Sequence, residues 1–304
     1  MDIVIIGGGP AGMSAALVLG RSRINTVVLN TENARNSIST HSHGFLTQDG
    51  KHPSEIFSIA KRQLEKYPSV NYKKEKALSL EKTADGFLIK TDLGSYTSER
   101  VILATGYRDN VELLGITGLS DVYGKSVYPC PFCDGYEMAD KKLGVFGDAI
   151  SAPMFSKIIA HWSKDVMVFT NGDKVTDAEL VKNLELNGIE IIDKAIKELI
   201  AEEGQLKQVV FHDNTIVERE GGFLADTKSS ESVNFARQFN IPTETGHFGM
   251  EIYTVNDNNE TDVKGLYIIG DARAGWTGVA ESVAEGASVA KMITHQIIEE
   301  RWKS

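Results

Sequence analysis

Two cysteines stand three positions apart, as Cys130-Pro131-Phe132-Cys133, and they are the only cysteines in the 304 residues. That spacing allows a short-loop disulfide in which neighbouring thiols tune each other's pKa. A thiolate of such a pair can attack a disulfide, and the second thiol can then resolve the mixed disulfide. Asp134 follows directly and could carry a proton to or from the leaving thiol. Asp134-Gly135 also reads as an ordinary solvated turn. Other readings of the pair are open. It could be half of a zinc site completed by His41 and His43, although the H-x-H spacing is not the usual finger spacing and no second cysteine pair exists. A purely structural disulfide does not suit a reduced compartment. His41 and His43 otherwise read as polar loop residues.

A second chemical signal lies at the N-terminus. Gly7, Gly9 and Gly12 form G-x-G-x-x-G, with Pro10 and Ala11 between the last two glycines. The first glycine permits a tight turn, the second lets backbone approach a pyrophosphate, and the third lets the helix pack on the sheet. The helix N-terminus then faces the phosphates. The acid that usually holds a ribose is replaced by Asn30, with Thr31 beside it; Asn30 can hydrogen-bond a hydroxyl but carries no charge. Glu32 is a substitute candidate.

A similar loop recurs in the middle of the chain and departs from the pattern. Gly147 keeps the first position, but Ala149 stands in the second and Ala152 in the third. Alanine in the third place is ordinary. In the second it puts a methyl group where backbone should touch pyrophosphate. Asp148 adds a negative charge beside a would-be phosphate site.

These residues need particular elements to hold them. The apolar run 2–6, a helix from Ala11 to Leu19 and a strand Thr26 to Leu29 make a βαβ unit. An amphipathic helix follows over 53–66, starting at Pro53. Alternating segments from Asn71 to Tyr96 predict a small antiparallel sheet, and a buried strand over 100–104 ends in Thr105-Gly106. The second unit has a strand over 143–146, a helix over 151–159, a strand over 166–170 and a helix over 177–187. A strand over 265–269, Gly270-Asp271 and a long helix over 277–300 return to the first style. The expectation is an α/β protein of two Rossmann-like three-layer domains, the second inserted into the first. Residues 1–112 and 242–304 form one domain, and residues 116–238 form the other, which carries the cysteines. The net charge of −10 argues against nucleic acid and anionic membranes as partners. No apolar run is long enough to span a bilayer, and no leader precedes the first strand, so the reading is cytoplasmic.

In this order, the glycine loop Gly7–Gly12, Ala104-Thr105-Gly106, Cys130–Cys133 with Asp134-Gly135, and Gly270-Asp271 resemble the low-molecular-weight thioredoxin reductases over nearly the whole chain. The resemblance implies FAD in the first domain, bound by the first glycine loop and Asp271, with backbone at Gly278 and Val279 meeting the flavin ring. It assigns Cys133 to the flavin and Cys130 to the substrate, and implies a homodimer whose middle domain rotates. Arg35-Asn36 and the stretch 43–50 are similar to the branch with the gliotoxin and holomycin dithiol oxidases, which close disulfides in small molecules with oxygen as acceptor. Members that use NADPH carry arginines after the second-domain strand. Here that stretch ends in Asn171-Gly172-Asp173, with Lys174 the only nearby cation. The expectation is an FAD-dependent thiol–disulfide oxidoreductase with impaired or absent NADPH binding. Its electrons would pass to or from oxygen or a carrier such as ferredoxin or flavodoxin. Its substrate would be a small dithiol or disulfide, or a thioredoxin-like protein. The alternatives are an ordinary NADPH-dependent thioredoxin reductase and a flavin redox sensor without turnover.

Overall fold

The computed structural model describes residues 1–246 and 250–302. The chain divides into two compact units: residues 1–37, 45–108 and 230–304, and residues 38–44 with 109–229.

The first unit is built on a five-stranded parallel sheet. Its order is Leu266–Ile268, Arg100–Leu103, Ile3–Ile6, Thr26–Leu29, Val70–Lys73. The central strands are apolar on both faces because both faces are covered, as parallel sheets require. Ile3, Ile5, Val28 and Ile102 pack under the helices Pro10–Arg21 and Val279–Trp302. The alternate residues Val4, Ile6, Val27, Leu29, Val101 and Leu103 pack against the antiparallel sheet of Ala77–Thr83, Gly86–Thr91 and Ser95–Ser98. Each of these buried side chains contributes about 1.5–3 kcal/mol relative to exposure. The two helices meet closely, since a Cβ at Gly286 would lie 2.1 Å from the Ala11 carbonyl oxygen.

The second unit repeats the plan. Its parallel sheet runs Glu190–Ile192, Val166–Phe169, Leu143–Phe146, Gly221–Leu224, Val127–Tyr128. The helices Ser151–Ile159 and Ala178–Leu186 cover one face. The antiparallel sheet Ile196–Glu202, Gln205–Phe211, Ile216–Glu218 covers the other. The fold class is the α/β arrangement with Rossmann-like parallel sheets that the sequence predicts. Among the described residues, no helix is long and apolar enough to cross a membrane.

Candidate active site

The cysteine pair sits where the short strand Val127–Tyr128 gives way to the helical turn Pro131–Asp134. Cys130 is extended and caps that turn, and its carbonyl accepts from the Cys133 and Asp134 amides at 3.2 and 3.1 Å. Pro131 at the first helical position favours this geometry because its φ is already fixed. The turn brings the two Cα atoms to 5.3 Å, and the sulfurs are bonded to each other, within the usual disulfide span. Cys130 is buried and Cys133 half-buried, while Phe132 between them is 78% exposed and edge-on to Trp162. Gly135 is required here, since a Cβ would lie 2.3 Å from the Pro131 carbonyl and 2.8 Å from the Trp162 ring.

Asp134, the last residue of that turn, is half-buried. Burial pushes its carboxyl up to about 7, with the Glu137 carboxylate pushing the same way and His43 opposing. Tyr128, on the preceding strand, is pushed up to about 12 by burial and by Asp134 and Glu137. A carboxyl that titrates near neutrality beside a disulfide can give and take a proton at working pH. His41 Nδ1 lies 3.1 Å from Thr40 Oγ1, and His43 Nε2 lies 3.5 Å from Glu137 Oε1. No cluster of three metal-ligating side chains occurs among the described residues.

The first glycine loop has the shape of an anion cradle. Gly7 has φ +108°, and a Cβ there would lie 2.1 Å from the Ala104 carbonyl oxygen. A Cβ at Gly12 would lie 2.0 Å from the Gly7 carbonyl oxygen. At Gly9, by contrast, among the described residues a Cβ would meet nothing within 4 Å and no side chain caps the helix Pro10–Arg21 that starts beside it. A helix N-terminus with space in front of it suits a pyrophosphate. Asn30 donates to the Tyr72 hydroxyl at 2.9 Å and to the Gly8 carbonyl at 3.5 Å. The substitute candidate Glu32 is already committed. Lys74 and Lys61 hold its carboxyl down at about 2, and the Tyr72 hydroxyl donates to it at 3.0 Å. Thr31 beside it is exposed.

A second cluster forms around Asp271. Its Oδ1 accepts from the Thr277 amide at 2.7 Å and the Thr277 hydroxyl at 2.8 Å, and its Oδ2 accepts from Arg35 at 3.0 Å. Arg35 also donates to the Gly275 carbonyl at 3.1 Å, and its guanidinium lies 4.2 Å from the centre of the Trp276 ring. Asn36 follows on the 3-10 turn Arg35–Ile38. Gly270 has φ +66°, and its amide donates to Glu285 at 2.5 Å. Gly278 and Val279 open the long C-terminal helix, and the Gly278 carbonyl accepts from Ser282. Thr105 and Gly106 follow the strand Arg100–Leu103, with the Ala104 amide bonded to Ile6. Sequence motifs do not point to Thr277 or Glu285. They matter because they fix Asp271 and Gly270.

The second glycine loop differs from the first in one physical respect. Asp148 Oδ1 accepts from the Ile150 amide at 2.9 Å and the Ser151 amide at 2.6 Å, at the head of Ser151–Ile159. Burial acts to raise its pKa, but these backbone donors outweigh it and hold the carboxylate below its usual range. Ala152 is fully buried against the sheet. At the end of the next strand, the Asn171 side chain accepts from the Ile196 amide at 2.8 Å, and Asp173 and Lys174 are exposed.

Residues 1–290 match the family model described as pyridine nucleotide-disulphide oxidoreductase. The crystal structure of the TrxB protein of Bacillus anthracis superposes with a TM-score of 0.91 at 32% identity, over 99% of this chain and 100% of that one. The crystal structure of HlmI gives 0.91 at 28% identity, over 100% of this chain and 94% of that one. Thioredoxin reductase aclD of Aspergillus oryzae is 28% identical over 97% of this chain and 96% of its own length.

Proposed function

The chain belongs to the pyridine nucleotide-disulphide oxidoreductase family and is a thioredoxin reductase-like, FAD-dependent oxidoreductase; on that premise we propose that it exchanges electrons between Cys130–Cys133 and a partner other than bound NADPH. The observation that carries this reading is the contrast between the two glycine loops. Among the described residues, no side-chain bond to the amides that open the helix at Gly9 is seen and a Cβ at Gly9 would meet nothing within 4 Å, whereas the Ile150 and Ser151 amides at the second loop are taken by the chain's own Asp148. One loop is built to receive a pyrophosphate, and the other supplies its own anion.

The roles follow from this. Gly7, Gly9, Pro10, Ala11 and Gly12 hold the FAD pyrophosphate, and Asn30 and Thr31 face the ribose. Arg35, Asn36, Gly270 and Asp271 hold the remaining polar part, and backbone at Ala104, Thr105, Gly106, Gly278 and Val279 lines the site. FAD, when bound, supplies a carrier for two electrons. Cys133 exchanges electrons with the flavin, Cys130 exchanges with substrate, and Asp134 moves the proton. The substrate is a small dithiol or disulfide, or a thioredoxin-like protein. The second electron partner is oxygen, or a carrier such as ferredoxin or flavodoxin, and the enzyme works as a homodimer.

Anaerobic mixing of the FAD-loaded protein with NADPH tests the reading. The flavin band should persist with NADPH and bleach with dithiols, then recover on admission of air. Rapid bleaching by NADPH would overturn it in favour of an ordinary NADPH-dependent thioredoxin reductase, a reading supported by the name of the Aspergillus relative. Failure of every dithiol and every reduced carrier to cycle the flavin would point to a redox sensor.

A further inference from the structure

Behind Asn30 runs a chain of hydrogen bonds that all point one way. Lys61, on the helix Pro53–Leu64, donates to Glu32 Oε1 at 3.0 Å, and Lys74, just past the edge strand Val70–Lys73, pairs with Glu32 Oε2 at 2.9 Å. The Tyr72 hydroxyl donates to the same Glu32 Oε1 at 3.0 Å. Glu32 reaches these partners from a left-handed backbone, φ +61°, which is uncommon for a residue with a side chain. The Tyr72 hydroxyl has one proton, and the ionised Glu32 can only accept, so toward Asn30 the hydroxyl can only accept as well. The Asn30 amide must therefore present its NH2 there, at 2.9 Å. The Gly8 carbonyl, 3.5 Å from the same nitrogen, is also purely an acceptor. Gly8 leaves the room for this arrangement, since a Cβ there would lie 2.6 Å from Asn30 Nδ2 and 2.7 Å from its Cγ. The Asn30 Oδ1 atom is left as the one polar atom of the amide that accepts from no described residue.

We propose that Tyr72 and Glu32 are positioning residues for the nucleotide of FAD, locking the Asn30 amide so that its carbonyl oxygen is a neutral acceptor for an adenosine ribose hydroxyl. This rests on the reading of Asn30 as the residue that faces the ribose. It also accounts for an asparagine where the fold ordinarily keeps an acid. The acid stands two residues on, at Glu32, where two lysines neutralise it and it claims the Tyr72 proton. An acid at position 30 would meet a hydroxyl whose proton is already given away and a carbonyl oxygen that has none to give.

The test uses the full chain, stripped of flavin and titrated with FAD or with an FAD analogue whose adenosine carries 2′,3′-dideoxyribose, followed by flavin fluorescence. The wild type should prefer FAD by roughly tenfold in Kd, the worth of one well-made hydrogen bond. Tyr72→Phe frees the amide to turn over, and should weaken FAD alone and narrow that preference to about two- to threefold. A merely structural role would weaken both ligands equally, and that result would overturn the proposal. Asn30→Asp should bind FAD roughly three- to tenfold less tightly than the wild type, and most of that loss should vanish in the Glu32→Gln background, where the Tyr72 proton is free to turn. A loss of the same size in both backgrounds, or no loss in either, would also overturn it. If Tyr72→Phe fails to fold, this pair of variants decides alone. Asn30→Ala separates the two levels of the argument. A full preference for FAD that survives in it, or no preference in the wild type, sinks the reading that Asn30 faces the ribose. A preference that collapses in Asn30→Ala but persists in Tyr72→Phe sinks only the positioning role.

Discussion

Asp148→Ala connects helix stability to nucleotide affinity through a single quantity. The Asp148 carboxylate satisfies two amides at the head of Ser151–Ile159. Removing such a cap costs about 1 kcal/mol, within a range of roughly 0.5–2. A phosphate that took the same amides would first have to displace the carboxylate. The free energy by which the cap stabilises the helix is therefore subtracted from the ligand's binding energy. In Asp148→Ala the unfolding free energy should fall by about 1 kcal/mol, which for a chain of this size lowers Tm by roughly 1–2 °C. The affinity for ADP should rise by the same energy, about fivefold in Kd. Asp148→Asn, which keeps an acceptor but loses the charge, should lie between. Thermal unfolding and titration calorimetry of the FAD-loaded protein give both numbers. A loss of stability with no gain in ADP affinity would refute the reasoning, because the amides would then not be a phosphate site held closed by the chain itself.

Asp134→Asn should stabilise the protein above pH 7 and leave it unchanged below pH 4. Burial holds the Asp134 carboxyl up at about 7 in the folded state, against roughly 3.9 for an aspartate in the unfolded chain. As pH rises through that window the unfolded chain loses a proton that the folded state retains, so stability falls. The asparagine should recover on the order of 2–3 kcal/mol at pH 8, measured by urea unfolding. The first loop offers a paired test. Gly12→Ala places a Cβ 2.0 Å from the Gly7 carbonyl oxygen and should lower Tm sharply, whereas Gly9→Val projects into open space and should keep the fold while losing FAD. Flavin absorbance after gel filtration separates these outcomes, and a Gly9→Val protein that stays fully yellow would count against the cradle. Arg35→Ala removes both the stack on Trp276 and the donor to Asp271, and should weaken FAD retention roughly tenfold in Kd, read by flavin release on dilution.

The parts of the molecule legible from sequence are those written locally. The strand Ile3–Ile6, the glycines and the helix after them are contiguous, and the glycine spacing states the turn directly. The cysteine pair is legible for the same reason. Asp148 is readable as a misplaced charge, but the sequence does not say that the carboxylate bonds the next turn's amides. Glu32 reads as a ribose candidate because it follows Asn30, and its lysine partners Lys61 and Lys74 lie far along the chain. The pairing of His43 with Glu137 and the stacking of Arg35 on Trp276 join residues with no shared motif. Long-range pairs of this kind come from topology, and sequence periodicity carries no trace of them.

The segment 38–44, which belongs to the second unit, bears on how the chain can be cut and how it folds. A fragment spanning 109–229 would contain the whole second sheet and both cysteines, but it would lack His43 and the Ile38 wedge at Gly124. Cutting the protein at 108/109 and 229/230 therefore removes a piece of the unit being isolated. During folding, the second unit cannot be completed until a segment made long before it has been brought back across a large loop. That raises contact order and places this closure among the slower steps. Any fragment that keeps the second unit intact must carry residues from both ends of that loop.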